Sequence, residues 1–398
     1  MKTRPRHLLL SNENNYVKYM ASKLYKQFKR LIKIYILSKP LARGYIPLSI
    51  DNADIYFGNE KDTKIYTLVH EEDTHVQQAK FLEGDFLRHF TPFKSGFESV
   101  VIDTTKPGFI FCNNHIIDPN FNVIYEQDVV FSETRLYGRT LPIKYEKIQG
   151  TVAYLSNTTP QNYGHWFAYV LPMLEVYWRN IDKQEMDYYY VGDSIADFQI
   201  ETLVALGIKE EQIVNFPCKA DRSITCVINR KIENCGNKFP SILGYRFTKN
   251  LFLPKENNAN SKYPKRLYVK RGKVNYREVI NDDEVVEYLE GIGFEALEMQ
   301  GRTIQEQAEI FYNADVIIAA SGSALTNLLF IKESTTVIEI VPFGFTDCFF
   351  YALGSYSKAN YFYMIGEKIP GDTTIPQRSN LKVNINKLKQ ICQLASLV

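Results

Sequence analysis

This sequence lacks a large excess of charge of either sign. Its 398 residues carry 47 Lys and Arg against 45 Asp and Glu, which leaves a formal net charge of +2. The composition therefore gives no reason to expect a nucleic acid partner, since that would favour a basic surplus. Hydrophobic residues make up 45% and charged residues 23%, so the chain is expected to be globular and not disordered.

Cysteine is scarce and scattered. The six cysteines include no C-x-x-C pair, and their spacing fits neither a zinc site nor a disulfide-stabilised small domain. We expect buried thiols in a reducing compartment. No apolar-flanked D-x-D motif occurs either, so we expect no metal and no other cofactor.

Long apolar runs are also missing. No stretch approaches the roughly 20 apolar residues of a membrane-spanning helix, and residues 1–15 show no secretory signal, so a cytoplasmic location is expected. Residues 23–39 instead form a basic amphipathic pattern. Such a helix either makes a peripheral contact with the inner face of the cytoplasmic membrane or packs on its own domain, and the sequence leaves both alternatives open.

The rest of the chain falls into two parts with different patterns. Residues 45–131 show short apolar runs broken by turn residues, which predict mixed strands and loops. From residue 150 onward, predicted strands and helices alternate, with strands at 151–155 and 188–191 and helices at 166–178 and 195–206. The second helical segment of this first set ends at a glycine, and the first is interrupted by Pro172.

A second alternating set follows a polar linker at 257–264. Its strands are predicted at 266–269, 294–297, 316–320 and 337–341, and capping boxes at Asn281 and Thr303 open two of its helices. The sequence thus predicts an α/β protein with two Rossmann-like, doubly wound domains that face a cleft. The predicted division is an N-terminal segment 1–44, a first domain 45–256, a second domain 265–370 and a helical tail 371–398.

Three features of the second domain are candidates for ligand binding. The small-residue loop 320–327 follows a buried strand, and its backbone can either approach a phosphate or form a simple tight turn. Arg271 and Lys273 follow the first strand and emerge at the same sheet edge, where they would either neutralise a diphosphate or lie in a solvated turn. Glu339 lies inside an apolar strand, which calls for either a grip on ribose hydroxyls or a buried salt bridge.

In the first domain, the segment Asn162, Tyr163, Gly164, His165 and Trp166 follows a strand and begins a helix. It should therefore face the cleft. His165 is either a proton acceptor or a capping or core histidine, and the Trp166 ring would suit stacking on a sugar face.

These motifs occur in an order that resembles glycosyltransferase family 61, over about residues 150–343. The similarity rests on the segment 162–166, the strand 266–271, the helix 303–315 with Gln307, the loop 322–327 and the strand 337–342. The chain differs from the usual family pattern at Ser321, where a histidine is common, and at Ser323, where a glycine is common.

The resemblance implies a GT-B fold and inverting transfer from a nucleotide sugar to a glycan. It implies His165 as the base, or as a group that orients the acceptor, and acceptor contacts at Asn162, Tyr163 and Trp166. Donor contacts are implied for Arg271, Lys273, Gln307, Ser321, Gly322, Ser323, Ala324, Leu325, Asn327 and Glu339.

The family likeness also suggests a role in capsular or other surface polysaccharide synthesis. The basic segment 23–39 would fit an acceptor that is lipid-linked at the membrane. Two alternatives stay open. One is a non-catalytic glycan- or nucleotide-binding protein, and the other is a pyruvyl-type transferase that acts on polysaccharide.

Overall fold

The computed structural model describes most of the chain from residue 44 onward. The described residues are 44–48, 61–72, 78–126, 144–233, 242–253 and 262–398, apart from gaps at 88–89, 91, 93, 106–108, 113, 120–121, 158, 250, 273, 275, 346, 372–373 and 377. The predicted amphipathic helix at 23–39 and Lys273 both lie outside the described residues.

The described chain forms a mixed α/β structure. Its strands are β1 Gly44–Leu48, β2 Thr63–Glu72, β3 Lys80–Phe81, β4 Lys94–Thr104, β5 Ile110–Cys112, β6 His115–Ile117, β7 Asn122–Glu126, β8 Glu146–Tyr154, β9 Tyr188–Tyr190, β10 Ile213–Val214, β11 Cys218–Glu233, β12 Arg266–Lys270, β13 Glu295–Glu298, β14 Val316–Ala320, β15 Thr336–Val341 and β16 Asn360–Ile365. Its main helices are α1 Leu171–Asn180, α2 Asp197–Ala205, α3 Ile242–Lys249, α4 Asp282–Glu290, α5 Ile304–Asn313, α6 Phe349–Tyr356 and α7 Ile385–Leu394.

The first sheet is mixed, which corrects the prediction of a doubly wound first domain. Ten strands belong to it, and its main path runs β1-β7-β6-β5-β11-β8-β9-β10. One end of the sheet is parallel, where β11 pairs with β8, β8 with β9 and β9 with β10, and at the other end β1 is parallel to β7. The second half of β11 pairs antiparallel with β4, because this 16-residue strand extends past β8 and continues into the hairpins built from the preceding chain.

The second sheet has the predicted parallel architecture. Its order is β13-β12-β14-β15-β16-β3, and every neighbouring pair is parallel. All five residues of β14 are buried, which is typical of a central strand covered by helices on both faces. Without the edge strand β3, the order of the other five strands along the chain is 2-1-3-4-5, so the winding direction reverses between β12 and β14.

Strand β3 joins the two halves of the protein. It belongs to the predicted first domain, yet it pairs with β16 at the edge of the second sheet. One apolar core also continues from the first half, with Trp166 and Phe167, into the second half, with Phe311 and Leu328. The predicted domain limits remain a prediction, and this crossing strand was not foreseen.

The tail 371–398 contains α7, and this helix packs on the second sheet. Leu388, Ile391 and Cys392 are buried in the core that lies under β12, β14 and β15. Asn281 is the N-cap residue of α4, as predicted, but its side chain makes no capping bond to the helix backbone. It bonds instead to both the N–H and the carbonyl of Val383 in the tail, and its Nδ2 also donates to the Glu284 carboxylate. The backbone of the tail therefore takes the place of the N–H groups of α4 as the main-chain partner of Asn281.

Thr303 forms the predicted capping box. Its Oγ1 accepts from the N–H of Glu306, and the Glu306 carboxylate accepts from the N–H of Thr303. The predicted helix at 166–178 begins as a π-helix, Trp166–Val170, and Pro172 lies in the first turn of α1, where a missing N–H costs nothing. Within the described part of the chain, no helix is both long and apolar enough to cross a membrane.

Candidate functional site

A cavity of about 820 Å³ opens at the carboxyl ends of β12 and β14. This is the point where the strand order reverses, and open parallel sheets bind their ligands at that position. The second sheet contributes the ends of β12, β13 and β14, and the first half of the chain contributes Tyr163 and the start of α2. The cavity thus lies between the two halves of the protein.

Arg271 is the best-placed cation in this cavity. Its Nη1 donates to the carbonyl of Ser321 at 2.7 Å, and its Nη2 donates to the carbonyl of Tyr276 at 3.3 Å. Its buried Nε has no hydrogen-bond partner. Burial, and then the repulsion of Arg277, lower the pKa of Arg271 to about 10. Hydrogen bonds to two backbone carbonyls therefore offset part of the free energy lost by burying the charged guanidinium.

Arg277 is a second cation that sequence reasoning missed. It lines the same cavity, burial lowers its pKa, and its buried Nε likewise has no partner. Its guanidinium carbon lies 5.5 Å from the ring centre of Tyr276 and 5.6 Å from that of Phe345. Its backbone has φ of 58°, a conformation that non-glycine residues rarely adopt. Arg277 follows Arg271 by six residues in the same loop, and this spacing could have indicated that both arginines reach the cavity.

Neither arginine forms an ion pair with a carboxylate in the part of the chain that the structure describes. Two neighbouring guanidinium groups that are desolvated and repel each other favour a dianion between them. Such a pair can form bidentate, charge-assisted hydrogen bonds to phosphate.

The small-residue loop contributes its first part to the cavity. Gly322, Ser323 and Ala324 line the cavity, but the following helix, Ser323–Phe330, is a 3₁₀ helix. Ser321 and Leu325 are fully buried and do not line the cavity. The side chains of Ser321 and Leu325 therefore point away from the cavity, and the donor contacts expected of the loop backbone stay a prediction.

Glu339 does not reach the cavity. It is 1% exposed, and its two carboxylate oxygens accept hydrogen bonds from Ser321 Oγ at 2.6 Å and from the Tyr361 hydroxyl at 2.8 Å. Burial raises its pKa to about 7. The prediction that Glu339 grips a ribose is wrong, because both oxygens are used internally and the group is sealed inside the sheet.

A chain of hydrogen bonds forms one wall of the cavity. The Tyr163 hydroxyl donates to Asn327 Oδ1 at 2.7 Å, and Asn327 Nδ2 donates to Gln307 Oε1 at 2.7 Å. Gln307 Nε2 then donates to the carbonyl of Arg302 at 3.0 Å. Tyr163 and Gln307 line the cavity, whereas Asn327 is fully buried behind them and supports both. Burial, and then Glu201, raise the pKa of the Tyr163 hydroxyl, which keeps it a donor.

The N-terminus of α5 faces the cavity but is already occupied. Both carboxylate oxygens of Glu201, from α2, accept from the N–H of Ile304, at 2.8 and 3.0 Å. This helix end therefore holds a carboxylate from the other half of the protein and is not open to a ligand phosphate.

His165 lies outside the lining of the arginine cavity, within the residues described. It is half-buried, its Nδ1 lies 2.6 Å from Thr159 Oγ1, and its ring meets that of Tyr169 edge-on. The backbone N–H of His165 donates to the side chain of Asn162, which caps this helical turn. His165 is two residues from Tyr163 in the same turn, and of these two residues Tyr163 lines the cavity.

Trp166 cannot stack on a sugar in this arrangement. Its side chain is fully buried in the core, and its Nε1 donates to Thr202 Oγ1 at 2.8 Å. The prediction of an acceptor contact at Trp166 is therefore wrong, because the indole connects the turn 163–165 to α2 inside the protein.

A grouping of three or more acidic, histidine or cysteine side chains that could hold a metal does not occur among the described residues. Lys270 at the cavity edge pairs with Asp282 at 3.3 Å, and Tyr268 donates to the same carboxylate. Asp282, the first residue of α4, thus accepts from two side chains of β12.

Comparisons with known proteins find the same family that the sequence motifs resemble. Residues 163–338 match the family described as glycosyltransferase 61. A β-1,2-xylosyltransferase of Oryza sativa subsp. japonica is 37% identical over 91 residues, which are 22% of this chain and 19% of that protein. An α-1,3-arabinosyltransferase of the same plant is 32% identical over 87 residues, 21% of this chain and 15% of that protein. The matched segments thus span less than a fifth of these relatives.

Proposed function

We propose that this protein, which belongs to glycosyltransferase family 61 through residues 163–338, transfers a sugar from a nucleotide-sugar donor to a glycan acceptor. The observation that carries the proposal is the pair Arg271 and Arg277, two desolvated guanidinium groups at the strand-order reversal of a parallel sheet. The two rice relatives are named for the transfer of pentoses, so sugar transfer is the activity that both similarities support.

In this proposal the two arginines bind the donor diphosphate and stabilise it as it leaves. The bond from the anomeric carbon to the diphosphate oxygen breaks, and its electron pair remains on the diphosphate. The acceptor oxygen forms the new bond on the opposite face, so the configuration inverts. Fixed cations in a desolvated site stabilise such developing charge strongly, and we propose that they do so without a metal ion.

His165 is the proposed base. If Nδ1–H donates to Thr159 Oγ1, then Nε2 is the atom that takes the proton of the acceptor hydroxyl. His165 is in the same turn as Tyr163, which lines the arginine cavity, and this proximity in the chain supports an acceptor site on the first half of the protein. We propose a GT-B-type arrangement, with the donor on the second sheet and the acceptor on the first half of the chain.

The wider setting of the reaction is also a proposal. We propose a surface or capsular polysaccharide as the product and a cytoplasmic enzyme that contacts the membrane through the basic amphipathic sequence of residues 23–39. A lipid-linked acceptor would fit that contact. Flotation with anionic liposomes, using the chain with and without residues 1–44, tests the contact, and equal partitioning of both would contradict it.

Release of nucleoside diphosphate tests the main proposal. The purified chain is incubated with a panel of nucleotide-linked pentoses and hexoses, with and without polysaccharide acceptor. We expect acceptor-dependent release of diphosphate and, by NMR, a product of inverted anomeric configuration. Tight binding of nucleotide without release would instead support a non-catalytic binding protein, and activity only with phosphoenolpyruvate would support a pyruvyl-type transferase.

A further inference from the structure

A carboxylate lies at the strand end next to the two arginines. Glu298 is the last residue of β13, and β13 pairs with β12 so that Glu298 is level with Lys270. Glu298 and Arg271 line the same cavity. Since neighbouring strands lie about 4.8 Å apart, Glu298 starts one strand spacing away from the arginine loop.

The backbone of the arginine loop leaves room for this carboxylate. Gly272, directly after Arg271, has φ of +63°, and a Cβ at this position would lie 2.7 Å from Glu298 Oε2. A side chain here would therefore be strained and would also displace the carboxylate. The loop that holds Arg271 and the strand that holds Glu298 are thus fitted to each other at this point.

Glu298 differs from the other glutamate at the cavity. Glu201 uses both oxygens on the N-terminus of α5. Glu298 is exposed, and none of the described lysines or arginines forms an ion pair with it. A carboxylate in this state accepts hydrogen bonds from hydroxyl groups and repels phosphate, so it divides the cavity into an anion part at the arginines and a hydroxyl part at the end of β13.

We propose that Glu298 recognises the ribose of the donor, by accepting hydrogen bonds from its 2′- and 3′-hydroxyl groups. The inference rests on the proposed function, because it takes the arginine pair as the site of the diphosphate. It assigns to Glu298 the role that the sequence suggested for Glu339. It also predicts a selectivity for ribonucleotides over 2′-deoxyribonucleotides that comes from one side chain.

Titration calorimetry with paired nucleotides tests this assignment. ADP, GDP, CDP and UDP are each compared with their 2′-deoxy counterparts. In the unmodified protein we expect the preferred ribonucleotide to bind at least about tenfold tighter than its deoxy form, which is the effect of one hydrogen bond to a charged group. Glu298→Ala and Glu298→Gln should reduce this ratio to about twofold or less.

Two variants serve as controls. Glu295→Gln changes an exposed glutamate at the other end of β13 and should leave the ratio unchanged. Arg271→Ala should weaken the ribo and deoxy forms by the same factor. If the ratio persists in both Glu298 variants, or is absent in the unmodified protein, the ribose assignment is overturned while the transferase proposal stands. If no nucleoside diphosphate binds at millimolar concentration, the transferase proposal itself fails.

Discussion

The guanidinium of Arg271 occupies the space beside Gly322 that any other residue would need for its side chain. A Cβ added at Gly322 would lie 1.7 Å from Arg271 Nη1, and the same nitrogen donates to the carbonyl of Ser321. The φ of Gly322 is 179°, so the backbone conformation would suit any residue and only the space demands glycine. The end of β14 and the end of β12 are therefore built around one cation.

Gly322→Ala should displace this cation without unfolding the protein. We expect nucleoside diphosphate affinity to fall by about ten- to a hundredfold, because charge-assisted contacts to the diphosphate are lost. Calorimetry measures the affinity, and circular dichroism checks the fold. Gly291→Ala is the matched control, since it adds the same methyl group at a helix end away from the cavity. Equal affinities in the two variants would contradict the role of the close contact.

Arg277 should lower the stability of the protein and strengthen diphosphate binding. Its φ of 58° costs an L-residue about 1 kcal/mol that glycine does not incur. The free energy of unfolding of Arg277→Gly should therefore be about 1 kcal/mol higher than that of Arg277→Ala. Both variants should bind diphosphate at least about tenfold more weakly than the unmodified protein. Urea unfolding and calorimetry provide the two measurements. Full affinity in the glycine variant would show that the cation is not part of the site.

Glu339 should make the stability of the protein depend on pH. Burial raises its pKa to about 7 in the folded state, above its usual value in the unfolded chain. The unfolded state therefore loses this proton first as the pH rises, and the stabilisation present at pH 4 is lost on the way to pH 7. Compared with Glu339→Gln, the unmodified protein should lose on the order of 2–3 kcal/mol across this range. Parallel pH profiles for both proteins would contradict the buried, protonated carboxyl.

Trp166→Phe should affect folding and not acceptor binding. It removes the bond to Thr202 Oγ1 and part of a fully buried ring, so we expect a loss of about 1–3 kcal/mol in the free energy of unfolding. The KM for acceptor should stay within about twofold, because the ring does not reach a surface. A large rise in KM at unchanged stability would restore the sugar-stacking interpretation.

His165→Ala should separate chemistry from donor binding. As the proposed base it should lower kcat by about a hundredfold or more, the range for general base catalysis. Affinity for nucleoside diphosphate should be unchanged, because His165 does not line the arginine cavity. Thr159→Val removes the hydroxyl next to Nδ1 at constant volume and should reduce kcat less strongly. Unchanged turnover in His165→Ala would remove the base from the mechanism.

Much of the second half of the chain could be predicted. The strands expected at 266–269, 316–320 and 337–341 match β12, β14 and β15 within one residue at each end, because buried parallel strands are short, continuous apolar runs. The capping box at Thr303 was also correct, because it depends on residues three apart and on nothing further away.

The strand pairing in the first half of the chain was harder to predict from the sequence, for a physical reason. Strand β11 pairs parallel with β8 along its first half and antiparallel with β4 along its second, and β3 leaves this part of the chain to pair with β16. Such pairings join residues far apart in the sequence, and the apolar pattern of a strand does not state which strand lies beside it.

The sequence alone determined the parallel sheet, the presence of a basic group and a glycine at two of its strand ends, and the order of the motifs, because these follow from local apolar runs and short segments. The tertiary structure decided which polar groups face the cavity. It sealed Glu339, Ser321 and Trp166 inside the protein and brought Arg277 and Glu298 to the cavity beside Arg271. Side-chain direction and burial are set by contacts between distant segments, and no local pattern contains them.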